Sequence, residues 1–213
     1  MPSTFERGFV KVCGVTNVAD ATMAASAGAN AIGLILAESP RRVTLEQASE
    51  IAARLKGEIL RIVVFRHQED DVILEHLDAL DVDAVQVHAT LSPSLLAALR
   101  ERPLLVVKAL AIDGDEFDDF DESRVDAVLV DGPRPGSGVA HSWERLRLRN
   151  FCVPVIAAGG LNPANVADVI RSTNPWGVDS ASGLERSPGR KDRALVERYV
   201  ANARDAFVHL GVT

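Results

Sequence analysis

At 213 residues, 47% of them hydrophobic and 25% charged, the chain has enough apolar material for a substantial core and the composition of an ordinary globular protein. A formal net charge of -7 argues against nucleic-acid binding, which needs clustered Lys and Arg against phosphates, although it leaves room for a local basic pocket. No segment is apolar for long enough to span a bilayer, and the opening MPSTFERGF lacks the hydrophobic run of a signal peptide, so a cytoplasmic protein without membrane contact is expected.

The first element in chain order is FVKVC, a β-branched run ending on Cys13 and Gly14, followed by NVADATMAASAGA with an Asn cap at Asn17 and a closing Gly. A strand followed by a helix is the result, and the alternation repeats. AIGLIL precedes TLEQASEIAARLK, LRIVVF precedes QEDDVILEHLDAL, and AVQVH precedes SPSLLAALRER. In the second half, LLVVKALA leads into the acidic IDGDEFDDFDES, where only a turn or two of helix is expected. AVLVD is followed by the region from Ser142 to Arg149, and VPVIAAGG by NPANVADVIRS with Asn162 as its expected cap. WGVDSASG comes last, before the long KDRALVERYVANARDAF.

Eight apolar strands, each leading into a helix, imply a parallel sheet covered by helices, because crossover connections are right-handed. No GxGxxG follows the first strand, and units of similar length suit closure better than an open sheet. The expectation is a single-domain (β/α)8 TIM barrel over residues 1–213. Cys13 and Cys152 show no CxxC spacing, and His67, His76, His88, His141 and His209 form no HxH or HExxH pattern, so neither a disulfide framework nor a metal site is expected. Cys152, ahead of the seventh strand, is assigned to packing. Trp143 and Trp176 read as core or rim aromatics.

In such a barrel the C-terminal ends of the strands converge on one mouth. Cys13, Gln86, His88, Asp131, Gly159, Gly160 and the stretch from Asp179 to Gly183 all fall there. Gly159 and Gly160, then Ser182 and Gly183, make two adjacent small-residue loops suited to holding a phosphate on backbone N–H groups. Asp131 follows an apolar run, so it reads either as a desolvated proton donor or as an acceptor in its turn. Cys13 reads either as a small packed thiol or as a base activated by neighbouring cations.

KVCGVTN, GLILAESPRRV, AVQVH, VLVDGPRPGSG with the later HSW, AAGGLNPANV and GVDSASGLERSPGRKD together resemble phosphoribosylanthranilate isomerase, in the same order and across nearly the whole chain. The resemblance implies an Amadori rearrangement in tryptophan biosynthesis, converting N-(5'-phosphoribosyl)anthranilate to 1-(2-carboxyphenylamino)-1-deoxyribulose 5-phosphate, with no cofactor and no metal. It implies Asp131 as general acid at the ring oxygen and Cys13, as thiolate, as the base that takes the C2 proton. Arg41 would pair with the anthranilate carboxylate, while the sequence leaves open whether Arg41 or Arg42 reaches inward. Gln86, His88 and Asp179 would line the substrate pocket. Gly136, Gly138, Gly159, Gly160, Ser182 and Gly183 would surround the phosphate.

Ala89 stands where relatives often have Gly, and Arg66 and His67 depart from the usual third-strand ending; Arg66 reads as a solvated loop residue. The partner expected is a small-molecule substrate, with the protein a monomer or homodimer. A related isomerase acting on another aminoaldose phosphate is expected to use paired aspartates, and Cys13 stands where one would be. The alternative from another class is a catalytically silent phosphate-binding barrel serving as a sensing or scaffold subunit, for which an acid and a base would be superfluous.

Overall fold

The computed structural model describes residues 5–132 and 142–212. The first four units are β1 (Phe9–Cys13) and α1 (Val18–Ser26), β2 (Ala31–Ile35) and α2 (Leu45–Arg54), β3 (Leu60–Phe65) and α3 (Asp70–Asp78), β4 (Ala84–Val87) and α4 (Pro93–Arg100). The second four are β5 (Leu105–Ala111) and α5 (Glu116–Asp119), β6 (Ala127–Asp131) and α6 (Ser142–Leu148), β7 (Val155–Ala158) and α7 (Val166–Thr173), β8 (Gly177–Ser180) and α8 (Arg193–His209). The strands pair in parallel and in sequence order, and β8 returns to β1 to close the (β/α)8 barrel.

Local chemistry explains most boundaries. Asn17 caps α1 by accepting from Asp20 N, Thr44 and Gln47 form a reciprocal capping box on α2, and Ser92 with Pro93 opens α4. The acidic stretch after β5 yields only the short helix α5 and a 3-10 turn at Glu122–Arg124, as its like charges lead one to expect. At the start of α7 the structure corrects the sequence reading: Asn162 is not the cap. Its Oδ1 accepts from Ala164 N in a local turn, and the helix begins only at Val166, so its dipole does not abut Gly159 and Gly160. Cys152 is also corrected, being exposed rather than packed. Trp143 packs against the core, and Trp176 sits half-exposed with its indole N–H donating to Phe5 O.

Two apolar layers result from the pleat. Outward residues such as Val10, Val12, Leu34, Val63, Val85 and Val128 meet the helices, while Phe9, Ile62, Val107, Leu129 and Ile156 fill the barrel interior. Phe5 and Phe9 pack edge to face at 5.1 Å within that interior cluster. An antiparallel hairpin of β9 (Glu185–Ser187) and β10 (Arg190–Lys191), absent from the sequence reading, stands between β8 and α8. Among the described residues no helix is long and apolar enough to cross a membrane.

Closure of the barrel leaves no room at Gly177, which pairs with Phe9. A Cβ there would stand 2.6 Å from Phe9 O, a backbone atom that cannot swing aside. Gly177→Ala should lower stability by about 1–3 kcal/mol through overpacking of the seam, read as a lower midpoint in urea unfolding.

Candidate active site

A cavity of about 500 Å³ opens at the C-terminal ends of the strands. Its wall contains Cys13, Arg41, Gln86, His88, Asp131, Gly159, Gly160, Asp179 and Ser182, so the residues singled out on different strands do share one space. Gly183 is not in that wall. It stands where the β8 loop meets the β7 loop, and a Cβ on it would fall 2.0 Å from Leu161 O. Gly136 and Gly138 lie outside the described residues.

Three of these side chains are each matched by a missing one. Cys13 pairs with Gly33 across β1 and β2, and a Cβ on Gly33 would come within 2.6 Å of Cys13 Sγ. Gly159 has a φ of +93°, and its Cβ would meet Asp131 Oδ1 at 2.7 Å. The side chain of Arg41 lies over Gly14, whose Cβ would strike Arg41 Cδ at 2.6 Å. Arg41 is the arginine that lines the cavity; Arg42 lines a separate groove with Leu36, Leu45 and His76. Arg66 is exposed as expected, yet it also forms part of the cavity rim.

Below the thiol is a residue to which the sequence reading assigned no role. Lys11 is fully buried on the inward face of β1, in register with Asp179 on β8. Its Nζ donates to Asp179 Oδ2 at 3.1 Å and to Gln86 Oε1 at 3.0 Å. Burial works against the ammonium, but Asp179 and Cys13 outweigh it and hold the group above the ordinary lysine value. The signal was present in the alternation of β1, since an inward Cys13 requires an inward Lys11.

Gln86 passes this order on. With its Oε1 engaged by Lys11, its Nε2 donates to His88 Nε2 across 2.9 Å, which places the His88 proton on Nδ1. Burial, reinforced by the charges of Arg66, Lys11 and Lys108, pushes the His88 pKa down from 6.5 to about 3. The ring is therefore a neutral, oriented wall group.

Glu185 and Lys191, also missed, are delivered by the hairpin. Arg41 Nε and Nη2 donate to the two Glu185 oxygens, each at 2.8 Å, and Lys191 Nζ donates to Glu185 Oε1 at 2.9 Å. The Glu185 hydrogen bonds hold the Arg41 guanidinium above the usual arginine value against the opposing effect of burial. The hairpin itself is tied to the β1 loop, because Thr16 Oγ1 donates to Gly189 O and Asp20 Oδ2 accepts from Lys191 N. Around the thiol, burial raises the Cys13 pKa from its ordinary value while Lys11 pulls it down.

Residues 10–202 match the family model of N-(5'-phosphoribosyl)anthranilate isomerase. The chain belongs to this family. The isomerase of Rubrobacter xylanophilus is 38% identical over 202 residues, spanning 92% of this chain and 98% of its own. The crystal structure of the phosphoribosylanthranilate isomerase of Thermotoga maritima superposes with a TM-score of 0.81 at 31% identity, covering 92% of this chain and 98% of that one. A crystal structure of phosphoribosylanthranilate isomerase in complex with reduced 1-(o-carboxyphenylamino)-1-deoxyribulose 5-phosphate has a TM-score of 0.76 at 29% identity, with coverage of 92% and 98%.

The depressed His88 pKa has a defined consequence for stability. Below pH 6.5 the unfolded chain takes up a proton at this histidine that the folded chain refuses until about pH 3, so this group's contribution falls as pH drops through that window. NMR titration should show His88 unprotonated from pH 8 to 5, and His88→Gln should flatten the acid slope of unfolding free energy between those limits.

Proposed function

We infer that the protein isomerises N-(5'-phosphoribosyl)anthranilate to 1-(2-carboxyphenylamino)-1-deoxyribulose 5-phosphate, an internal redox rearrangement of a small-molecule substrate in tryptophan biosynthesis. Family membership carries the reaction class. The observation that carries its chemistry is the common cavity of Cys13, Asp131, Arg41 and the small-residue wall of Gly159, Gly160 and Ser182. The ligand in the related complex has the three parts such a wall would receive: a phosphate, a sugar chain and a carboxylated ring.

In this reading the phosphate is held by backbone N–H groups of Gly159, Gly160 and Ser182, with Gly183 in the same loop as Ser182 and with Gly136 and Gly138 assigned to the phosphate from the separate segment that follows β6. Arg41 receives the anthranilate carboxylate on the edge of its guanidinium that Glu185 leaves open, since Glu185 uses only the Nε and Nη2 side. Asp131 gives a proton to the ring oxygen as the C1–O bond breaks and the nitrogen lone pair forms a protonated Schiff base. The Cys13 thiolate then removes the C2 proton, the electron pair neutralises the iminium, and an enolamine results. Transfer of the O2 proton to C1 gives the ketone, so atoms and charge balance across the sequence. Gln86, His88 and Asp179 line the sugar, and the whole works as one barrel domain in the cytoplasm, as a monomer or homodimer.

Substrate fluorescence, generated from anthranilate and phosphoribosyl pyrophosphate by a coupling transferase, should decay on addition of the protein. Cys13→Ala and Asp131→Asn should each lower kcat on the order of a hundred-fold or more with the fold intact by circular dichroism. Near-normal turnover in both variants defeats the mechanism. Arg41→Lys should raise KM roughly tenfold with a smaller loss in kcat, because a point charge replaces a planar fork.

A further inference from the structure

The acid-base reading asks a buried thiol to act as a thiolate, and burial opposes that. Two of the charges around Cys13, Lys11 and Lys191, work against the effect of burial. Lys11 lies two positions below it on the same inward face of β1, completely buried. On β8, Asp179 pairs with Lys11; from the hairpin come Lys191 and Glu185, and from the loop after β2 comes Arg41. Gly33, opposite the thiol on β2, carries no side chain. With the thiol neutral, the cations Lys11, Lys191, Arg41 and Arg66 exceed the carboxylates Asp179, Glu185 and Asp131 by one charge in and around the cavity. An anionic sulfur completes the balance, and Lys11 is held where it can face that sulfur by Asp179 at 3.1 Å and Gln86 at 3.0 Å.

We propose that Lys11 is a positioning residue of the reaction, whose buried ammonium, clamped between Asp179 and Gln86, favours formation of the Cys13 thiolate against the opposing effect of burial. The proposal rests on the reading of Cys13 as the base. Lys11 touches no substrate in this scheme; it acts through the sulfur, and Asp179 limits how far it does so. The two charged neighbours therefore have opposite effects on the thiol. Lys11 favours the thiolate and Asp179 disfavours it, as a simple steric role for either would not require.

The sign of the two effects is measurable without the isomerase assay. In a Cys152→Ser background, which removes the exposed second thiol, the rate of Cys13 alkylation by iodoacetamide against pH reports thiolate formation in the free protein. Lys11→Met should move the midpoint up by about one pH unit or more, and Asp179→Asn should move it down. The rising limb of kcat/KM against pH should follow the same upward displacement in Lys11→Met. Because Lys11→Met leaves Asp179 buried without its partner and can fail to fold, the Lys11→Met, Asp179→Asn double variant provides the second comparison. Its midpoint should lie above that of Asp179→Asn alone. An unchanged midpoint in Lys11→Met, displacement of both single variants in the same direction, or a double variant equal to Asp179→Asn overturns the proposal. Failure of the underlying reading looks different: an active Cys13→Ala protein removes the base role and leaves the alkylation midpoints as they are.

Discussion

The pairing of Lys11 with Asp179 joins the two strands whose meeting closes the barrel, and it does so in the interior, with side-chain exposures of 0% and 8%. Two charges so placed cost several kcal/mol to desolvate, and removing either partner alone typically costs about 3–5 kcal/mol. The second carboxylate oxygen of Asp179, Oδ1, is buried without a hydrogen-bond partner among the described residues, whereas Gln86 supplies the ammonium with a further acceptor. The amide of Gln86 is thereby oriented, the tautomer of His88 follows, and the sulfur of Cys13 stands above a fixed positive charge. The apolar plug of Phe5 and Phe9 lies in the interior cluster beneath this polar layer, so one barrel lumen holds both a stabilising end and a reactive end.

The second constraint runs between the ends of the chain. Thr16 and Asp20, just after β1, hold the hairpin through Gly189 and Lys191, and the hairpin in turn presents Glu185 to Arg41. The Cys-Gly-x-Thr segment near the start and the Glu…Pro-Gly-x-Lys-Asp segment near the finish are thus one structural unit. Arginine orientation is set by a carboxylate from the far end of the sequence, which Lys191 contacts as well. The guanidinium is thereby fixed on one edge, which reduces the side-chain entropy that binding a carboxylate there would otherwise have to remove.

Glycine completes the arrangement by absence. Gly33 opposite Cys13, Gly159 opposite Asp131 and Gly14 under Arg41 each leave space that a Cβ would take from the functional group, with approaches of 2.6, 2.7 and 2.6 Å. The three close contacts are made across different elements, so the cavity is shaped as much by these vacancies as by its polar groups.

Much of this was legible in the chain. Apolar runs of strand length, capping residues and Gly-terminated helices specify eight units in order, and right-handed crossovers leave the closed barrel as their natural packing. The positions of Cys13, Asp131, Gln86 and His88 at strand ends follow from the same pattern. Their environment does not. Lys11 could be placed inward by alternation, but its partner depends on the register between β1 and β8, which no local signal encodes. Asn162 looked like a cap because its type suits one; the backbone used it for a turn instead. Glu185 and Lys191 belong to a hairpin whose strands, Glu185–Ser187 and Arg190–Lys191, are too short and polar to show a period. The sequence by itself determined the order of elements and the chemistry available at the mouth, because hydrophobic periodicity and residue type are local properties. Which charges meet, which arginine turns inward and which charges surround the sulfur were decided only by the tertiary structure, since Coulomb energy and steric vacancy depend on distances through space between residues far apart in the chain.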